Sequence, residues 1–268
     1  MNLPTLDSTY DISEAQETAY QVNGNVLLKN ILSEEEMNLY RPVILDAADR
    51  FNTEKRKMED RDTYGKAFLQ IMNLWEVAEQ VRKFTLAKRF AQIAADLMGV
   101  KNVRLYHDQA LFKEAGGGHT PWHQDQYYWP ISTPKTITMW MPLVDIDVEM
   151  GMLTFANGSQ ELGYLGDLAI SDTSEAVLAD LVKEKGYEIT RAETMKAGDA
   201  TWHSGWTLHA APGNNSTIRR EVMTIIYIDA EAEIIEPRNK HQVADWERWL
   251  KSFPIGGKAT SDLNPLLL

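Results

Sequence analysis

The chain has 268 residues, 44% hydrophobic and 25% charged, the make-up of an ordinary globular protein that can bury a sizeable core. The absence of cysteine excludes disulfides, cysteine–zinc sites and thiol catalysis. A formal net charge of −12 argues against nucleic acid, where affinity comes from Lys and Arg neutralising phosphates, and disfavours a polyphosphate-bearing substrate.

The first residues, Met1 to Asp7, lack a basic stretch followed by an apolar one. No apolar run approaches the roughly 18 residues that span a bilayer, so no membrane partner is expected and cytoplasm is the default location. Gly24 to Ile31 reads as a short strand. Ser33-Glu34-Glu35-Glu36 offers a capping box that opens a helix to about Phe51. Glu54 to Thr63 is a charged, exposed loop or frayed helix end, and Ala67 to Met72 a strand. Two helices are expected near Glu76–Phe84 and Leu86–Met98, with Gly99 as a stop signal.

From Val103 the texture changes. Val103–Phe112, Lys135–Val144, Met152–Ala156, Ala200–Trp202, Thr207–Ala211 and Arg219–Asp229 all read as strands. A helical pattern between Ser174 and Lys185 interrupts them, and another runs through Asp245–Phe253. No repeat or long linker divides the chain. A single domain over residues 1–268 is therefore expected: a helical part to about 102, a β-rich core of about 103–229, then a C-terminal helix and tail over 230–268. Helices followed by successive strands indicate an α+β protein, mainly β in its core, built as a sandwich or barrel.

Six histidines are present, and His123 stands out in Trp122-His123-Gln124-Asp125. On an extended strand, residues two apart share a face, so imidazole and carboxylate can point together. One distant histidine would complete a face of three ligands and leave the opposite face of a metal free, the arrangement of non-haem Fe(II) oxygenases. His203 and His209 compete for that place. His209 precedes the small residues Ala210-Ala211, which leave room beside a metal, whereas His203 can equally line the pocket. Arg220 shares strand parity with Val222, Thr224, Ile226 and Ile228, none of them charged, and so points inward. It needs either a carboxylate ligand or an internal acid for its planar fork.

In order along the chain, Trp122-His123-Gln124-Asp125-Gln126-Tyr127-Tyr128-Trp129-Pro130, Trp140, Gly151 to Gln160, Gly198-Asp199, His209 and Arg220 resemble the phytanoyl-CoA dioxygenase family of Fe(II)/2-oxoglutarate oxygenases. The resemblance covers about residues 103–228. It implies a double-stranded β-helix (jelly-roll, cupin-like) with packed N-terminal helices, Fe(II) on His123, Asp125 and His209, and 2-oxoglutarate held by Arg220. It implies further that Gln109 and Trp140 line the cosubstrate pocket and that Lys66 is a further pocket lysine. Among the aromatic residues clustered in these motifs, Tyr128 is the candidate for substrate contact. Ala211 departs from relatives that carry a serine there. Related halogenases replace the carboxylate by a small residue, so retention of Asp125 implies hydroxylation of a small-molecule substrate, with O2 consumed and succinate and CO2 released. The competing readings are a cupin-like metal-dependent isomerase or lyase, which Arg220 argues against, and a non-catalytic metal-binding homologue.

Overall fold

The computed structural model describes residues 3–268. Its N-terminal part comprises α1 (Glu14–Asn23), β1 (Asn25–Leu28), α2 (Glu34–Phe51), α3 (Thr63–Ala67), β2 (Leu69–Met72), α4 (Leu74–Val77), α5 (Glu79–Thr85) and α6 (Lys88–Met98). The rest comprises β3 (Val103–Phe112), β4 (Thr120–His123), β5 (Thr136–Pro142), β6 (Ile146–Asp147), β7 (Thr154–Ala156), α7 (Asp172–Lys185), β8 (Ile189–Arg191), β9 (Thr194–Met195), β10 (Ala200–Ser204), β11 (His209–Ala211), β12 (Val222–Asp229) and α8 (Lys240–Trp249). Two antiparallel sheets form the jelly roll, one in the order β1-β10-β5-β12-β3-β2, the other β4-β11-β7-β8. Among the described residues no helix is long and apolar enough to cross a membrane.

Side-chain alternation explains how the larger sheet serves two masters. Ile137, Met139 and Met141 of β5 and Met223, Ile225 and Tyr227 of β12 join the core beneath the helices. Trp140 and Val222, and further along Ile226 and Ile228, belong to separate clusters on the other side. Both faces are covered, so β5 is buried at every position, its two threonines, Thr136 and Thr138, included.

The helical expectations hold with instructive shifts. Ser33 and Glu36 do form a reciprocal capping box on α2. Helix α1 was not anticipated, although Ser13 and Gln16 form the same box and Gly24 closes it in the left-handed region, φ 74°. The helix expected over Glu76–Phe84 is two, because Ala78 is extended between α4 and α5. The C-terminal helix starts at Lys240, where Asn239 caps it through the His241 and Gln242 amides.

Asp108 ties the helical layer to β3. Its carboxylate accepts from the Leu74 and Trp75 amides, at 2.8 and 3.1 Å, and from the Thr85 hydroxyl at 2.8 Å. It supplies the cap that α4 lacks, since Asn73 makes no side-chain capping bond. Burial raises its pKa to about 6 in spite of these donors. Asp108→Ala strands three buried donors and is expected to lower stability by at least about 3 kcal/mol, the upper end of what one stranded donor costs. Urea unfolding checks this, and a loss under about 1 kcal/mol would show that water replaces the carboxylate.

Candidate metal and cosubstrate site

Two cross-strand pairs, one from each sheet, meet across a cavity of about 260 Å³. On the smaller sheet, His209 of β11 lies directly opposite His123 of β4. On the larger sheet, His203 of β10 lies directly opposite Thr138 of β5. Asp125 sits between the pairs. It is not on an extended strand, as its spacing from His123 suggested: β4 ends at His123, and Asp125 opens a 3-10 turn over Asp125–Tyr128. That turn carries the carboxylate back toward both imidazoles.

The two oxygens of Asp125 have different partners. Oδ1 lies 3.5 Å from His123 Nε2 and 3.6 Å from His209 Nε2. Oδ2 accepts from the Thr138 hydroxyl at 2.8 Å and lies 3.3 Å from His203 Nε2. Both imidazoles of the smaller sheet are oriented by backbone carbonyls: His123 Nδ1 is 2.7 Å from Pro121 O, and His209 Nδ1 is 2.9 Å from Thr207 O. A carbonyl can only accept, so each Nδ1 carries the proton and each Nε2 presents a lone pair. Donor atoms of His123, Asp125 and His209 all lie within 4.8 Å of one another. Two neutral imidazoles and one carboxylate oxygen, all free on the same side, fit a divalent first-row metal.

Electrostatics point the same way. Burial, reinforced by neighbouring His123, pushes the His209 pKa well below its usual value, so the ring stays neutral. Burial would raise Asp125, but protonation of His209, His123 or His203 would lower it well below the usual carboxylate range, so any proton on the cluster sits on a ring and the carboxyl stays ionised. His203 is therefore not interchangeable with His209. It belongs to the opposite sheet and approaches the outer carboxylate oxygen, and its Nδ1 has no partner among the described residues. Thr138→Val keeps the shape and removes the hydroxyl on Oδ2. Losing such an outer partner typically weakens metal affinity about 10- to 100-fold, and a competitive Fe(II) titration should show that range; unchanged affinity would deny Thr138 this role.

Arg220 is buried at 2% exposure, on the cavity side that its parity indicated. It precedes β12 rather than opening it, held by a backbone bridge to Lys113 with both N···O distances 2.9 Å. Its guanidinium carbon lies 5.1 Å from the centre of the Trp140 ring, and Nη1 donates to the Gly151 carbonyl. Gly151 is left-handed, φ +80°, and a Cβ there would sit 2.5 Å from Pro212 O and 3.4 Å from Arg220 Nη1. Arg220 forms no ion pair with any described residue, and its Nε has no partner. Arg219, by contrast, is half-buried and reaches exposed Asp49 and buried Glu221. Beside Arg220 lies Lys113, fully buried, with Nζ 3.4 Å from Thr120 Oγ1 and also donating to Gly118 O. Burial, then Arg220, lowers its pKa to about 6. Burial lowers Arg220 too, to about 9, which leaves it charged at neutral pH.

Gln109, Trp140 and Tyr128 line the cavity. Gln109 accepts from Gln70 Nε2 at 2.6 Å and faces His107 Nδ1 at 3.4 Å. The Tyr128 hydroxyl accepts from the Ile170 amide at 2.9 Å. Lys66 is misplaced by the sequence reading: it is not among the lining residues, and its backbone carbonyl receives the Gly118 amide at 2.8 Å. The buried lysine is Lys113, whose signal was its parity with Gln109 and Leu111 at the end of β3. Thr138 likewise shares parity with Trp140.

Comparison with known proteins places this geometry in context. A carbocyclase of nogalamycin biosynthesis, SnoK, described as non-haem and α-ketoglutarate-dependent, superimposes with a TM-score of 0.78 at 23% identity, covering 99% of each chain. The epimerase SnoN of the same biosynthesis gives 0.77 at 25% identity, over 95% of this chain and 98% of its own. A probable α-ketoglutarate-dependent hypophosphite dioxygenase from Stutzerimonas stutzeri is 29% identical over 136 residues. That alignment takes in 49% of this chain and only 47% of the relative, so about half of each is compared. The model of the phytanoyl-CoA dioxygenase (PhyH) family matches residues 20–222, from α1 through every strand that bears a site residue to the start of β12, and the chain belongs to that family.

Proposed function

We propose that the protein is an Fe(II)- and 2-oxoglutarate-dependent dioxygenase that hydroxylates a C–H bond of a small-molecule substrate, releasing succinate and CO2. One observation carries the reading: three donor atoms free on one side share a cavity with a buried arginine that has no acid of its own. His123, Asp125 and His209 would hold the iron, with the imidazoles oriented by Pro121 and Thr207 and the carboxylate by Thr138 and His203. When bound, ferrous iron with 2-oxoglutarate and O2 supplies the oxidising power that breaks the C–H bond.

This chain's residues do the positioning. Arg220 pairs with the distal carboxylate of 2-oxoglutarate, and Trp140 fixes the guanidinium plane. Where some relatives carry a serine, this chain has Ala211, and its cross-strand partner is Thr120. The Thr120 hydroxyl thus takes over on that wall, next to Lys113. An internal salt bridge to Arg220 was the competing reading, and the described residues contain none. A cupin-like isomerase or lyase would have no use for the unpaired guanidinium. Oxygen uptake in the presence of Fe(II) and 2-oxoglutarate, with stoichiometric succinate, tests the reaction class. Running it under 18O2 tests the outcome: hydroxylation puts label in the product, whereas an unlabelled, isomerised or cyclised product would move the reading toward the chemistry named for SnoN or SnoK.

A further inference from the structure

The cavity has a second charged pole that the metal and cosubstrate assignments leave unused. Helix α8 closes it, presenting Ala244, Asp245, Arg248 and Trp249, which fall on one face at helical spacing. The helix is pinned in place: Gln242 Nε2 donates to Tyr127 O at 2.9 Å, and Trp246 Nε1 to Phe253 O at 2.8 Å. Opposite it, the β3–β12 register slips between Ile226 and Tyr227. Tyr106 is the extra residue of that bulge, so Tyr106 turns to the cavity side along with His107. Its hydroxyl donates to Asp245 Oδ2 at 2.7 Å. Oδ1 has no hydrogen-bond partner among the described residues, and no described cation lies within ion-pair distance. Arg248, one turn on, is committed elsewhere, its guanidinium carbon 4.2 Å from the centre of the Trp249 ring.

We propose that Asp245 is a specificity-determining residue that receives an ammonium group of the substrate, so that the substrate is a small amine. The inference rests on the assignment above, in which Arg220 takes the distal carboxylate of 2-oxoglutarate at the other pole. Strand β3 links the two ends, with Lys113 beside Arg220, then Leu111, Gln109 and His107 along the cavity, and Tyr106 at Asp245. Asp245 is half-buried, with one oxygen free and no cation within ion-pair distance, Arg248 acting on it only from farther off, so a ligand ammonium would offset what its desolvation costs. Burial does raise the Asp245 pKa, to about 7, against the lowering by Tyr106 and Arg248. The other ionisable groups around this end do not compete for it. Burial leaves His107 neutral, lowered to about 3, and keeps Tyr64 and Tyr128 protonated. Aromatic faces from Tyr128, Trp129 and Trp249 line the same end and suit a cation as well as its apolar frame.

The test uses matched probes: benzylamine, benzyl alcohol and benzoate, titrated calorimetrically at pH 8, where the acid is ionised. Protein loaded anaerobically with Fe(II) and 2-oxoglutarate is compared with protein without added iron, so that a failure of the metal assignment is read separately. Benzylamine should bind tighter than both isosteres by about tenfold or more, as for a hydrogen bond to a charged group. Asp245→Asn, which keeps an acceptor for Tyr106, should erase that preference while 2-oxoglutarate affinity stays within about twofold. Tyr106→Phe, which keeps the carboxylate, should retain it. No binding of benzylamine, equal binding of amine and alcohol, or a preference that survives in Asp245→Asn overturns the proposal.

Discussion

Asp125→Ala is expected to abolish substrate-dependent succinate formation and to weaken Fe(II) binding by more than about 100-fold, beyond what loss of an outer partner costs. The reason is that one residue joins both sheets. Oδ1 faces the two Nε2 atoms of the smaller sheet, and Oδ2 is held by Thr138 and His203 of the larger. Truncation removes a ligand and also leaves the Thr138 hydroxyl and His203 ring without their acceptor. An Fe(II) titration of the variant, followed by a turnover assay at saturating iron, separates lost affinity from lost chemistry. Unchanged Fe(II) affinity in the first or retained turnover in the second would remove Asp125 from the ligand set.

The second large effect belongs to Arg220. Leaving one member of a buried charge pair alone costs ~2–5 kcal/mol, so Arg220→Met should weaken 2-oxoglutarate binding by about 30-fold or more. The free protein should behave differently. Arg220 is buried without a counter-ion, so replacing it by an apolar side chain of similar length removes an uncompensated charge. The thermal midpoint of the ligand-free variant is therefore expected to be equal to or higher than that of the parent. Added 2-oxoglutarate should raise the parent's midpoint and leave that of Arg220→Met unmoved. A normal 2-oxoglutarate response in the variant would remove Arg220 from the clamp.

Much of this was visible in the chain itself, for identifiable reasons. Strand β3 spans the expected Val103–Phe112, because β-prone Val103, Tyr106 and Phe112 stand along a stretch with no Gly or Pro to break it. The direction of Arg220 followed from parity alone, since a charge among uncharged neighbours must find the protected face. Helix α2 followed from its capping box. The errors have equally local causes. Asp125 was taken as a strand residue, but a carboxylate two positions beyond a strand end can equally open a turn, and only the chain's return toward β10 decides which. Lys66 was placed by loose likeness and lies outside the cavity lining; Lys113, buried beside Arg220, is not part of that lining either.

By itself, then, the order of residues determined the β-rich core, the motif histidines and aspartate, and the inward arginine, because periodicity and residue chemistry act over a few neighbouring positions. Tertiary structure alone decided that His123 pairs with His209 across two strands, that His203 and Thr138 grip the far oxygen of Asp125, and that Asp245 on the last helix faces the same cavity. Those contacts join residues far apart in the chain through strand register and helix docking, both set by burial of the whole core, which no local pattern encodes.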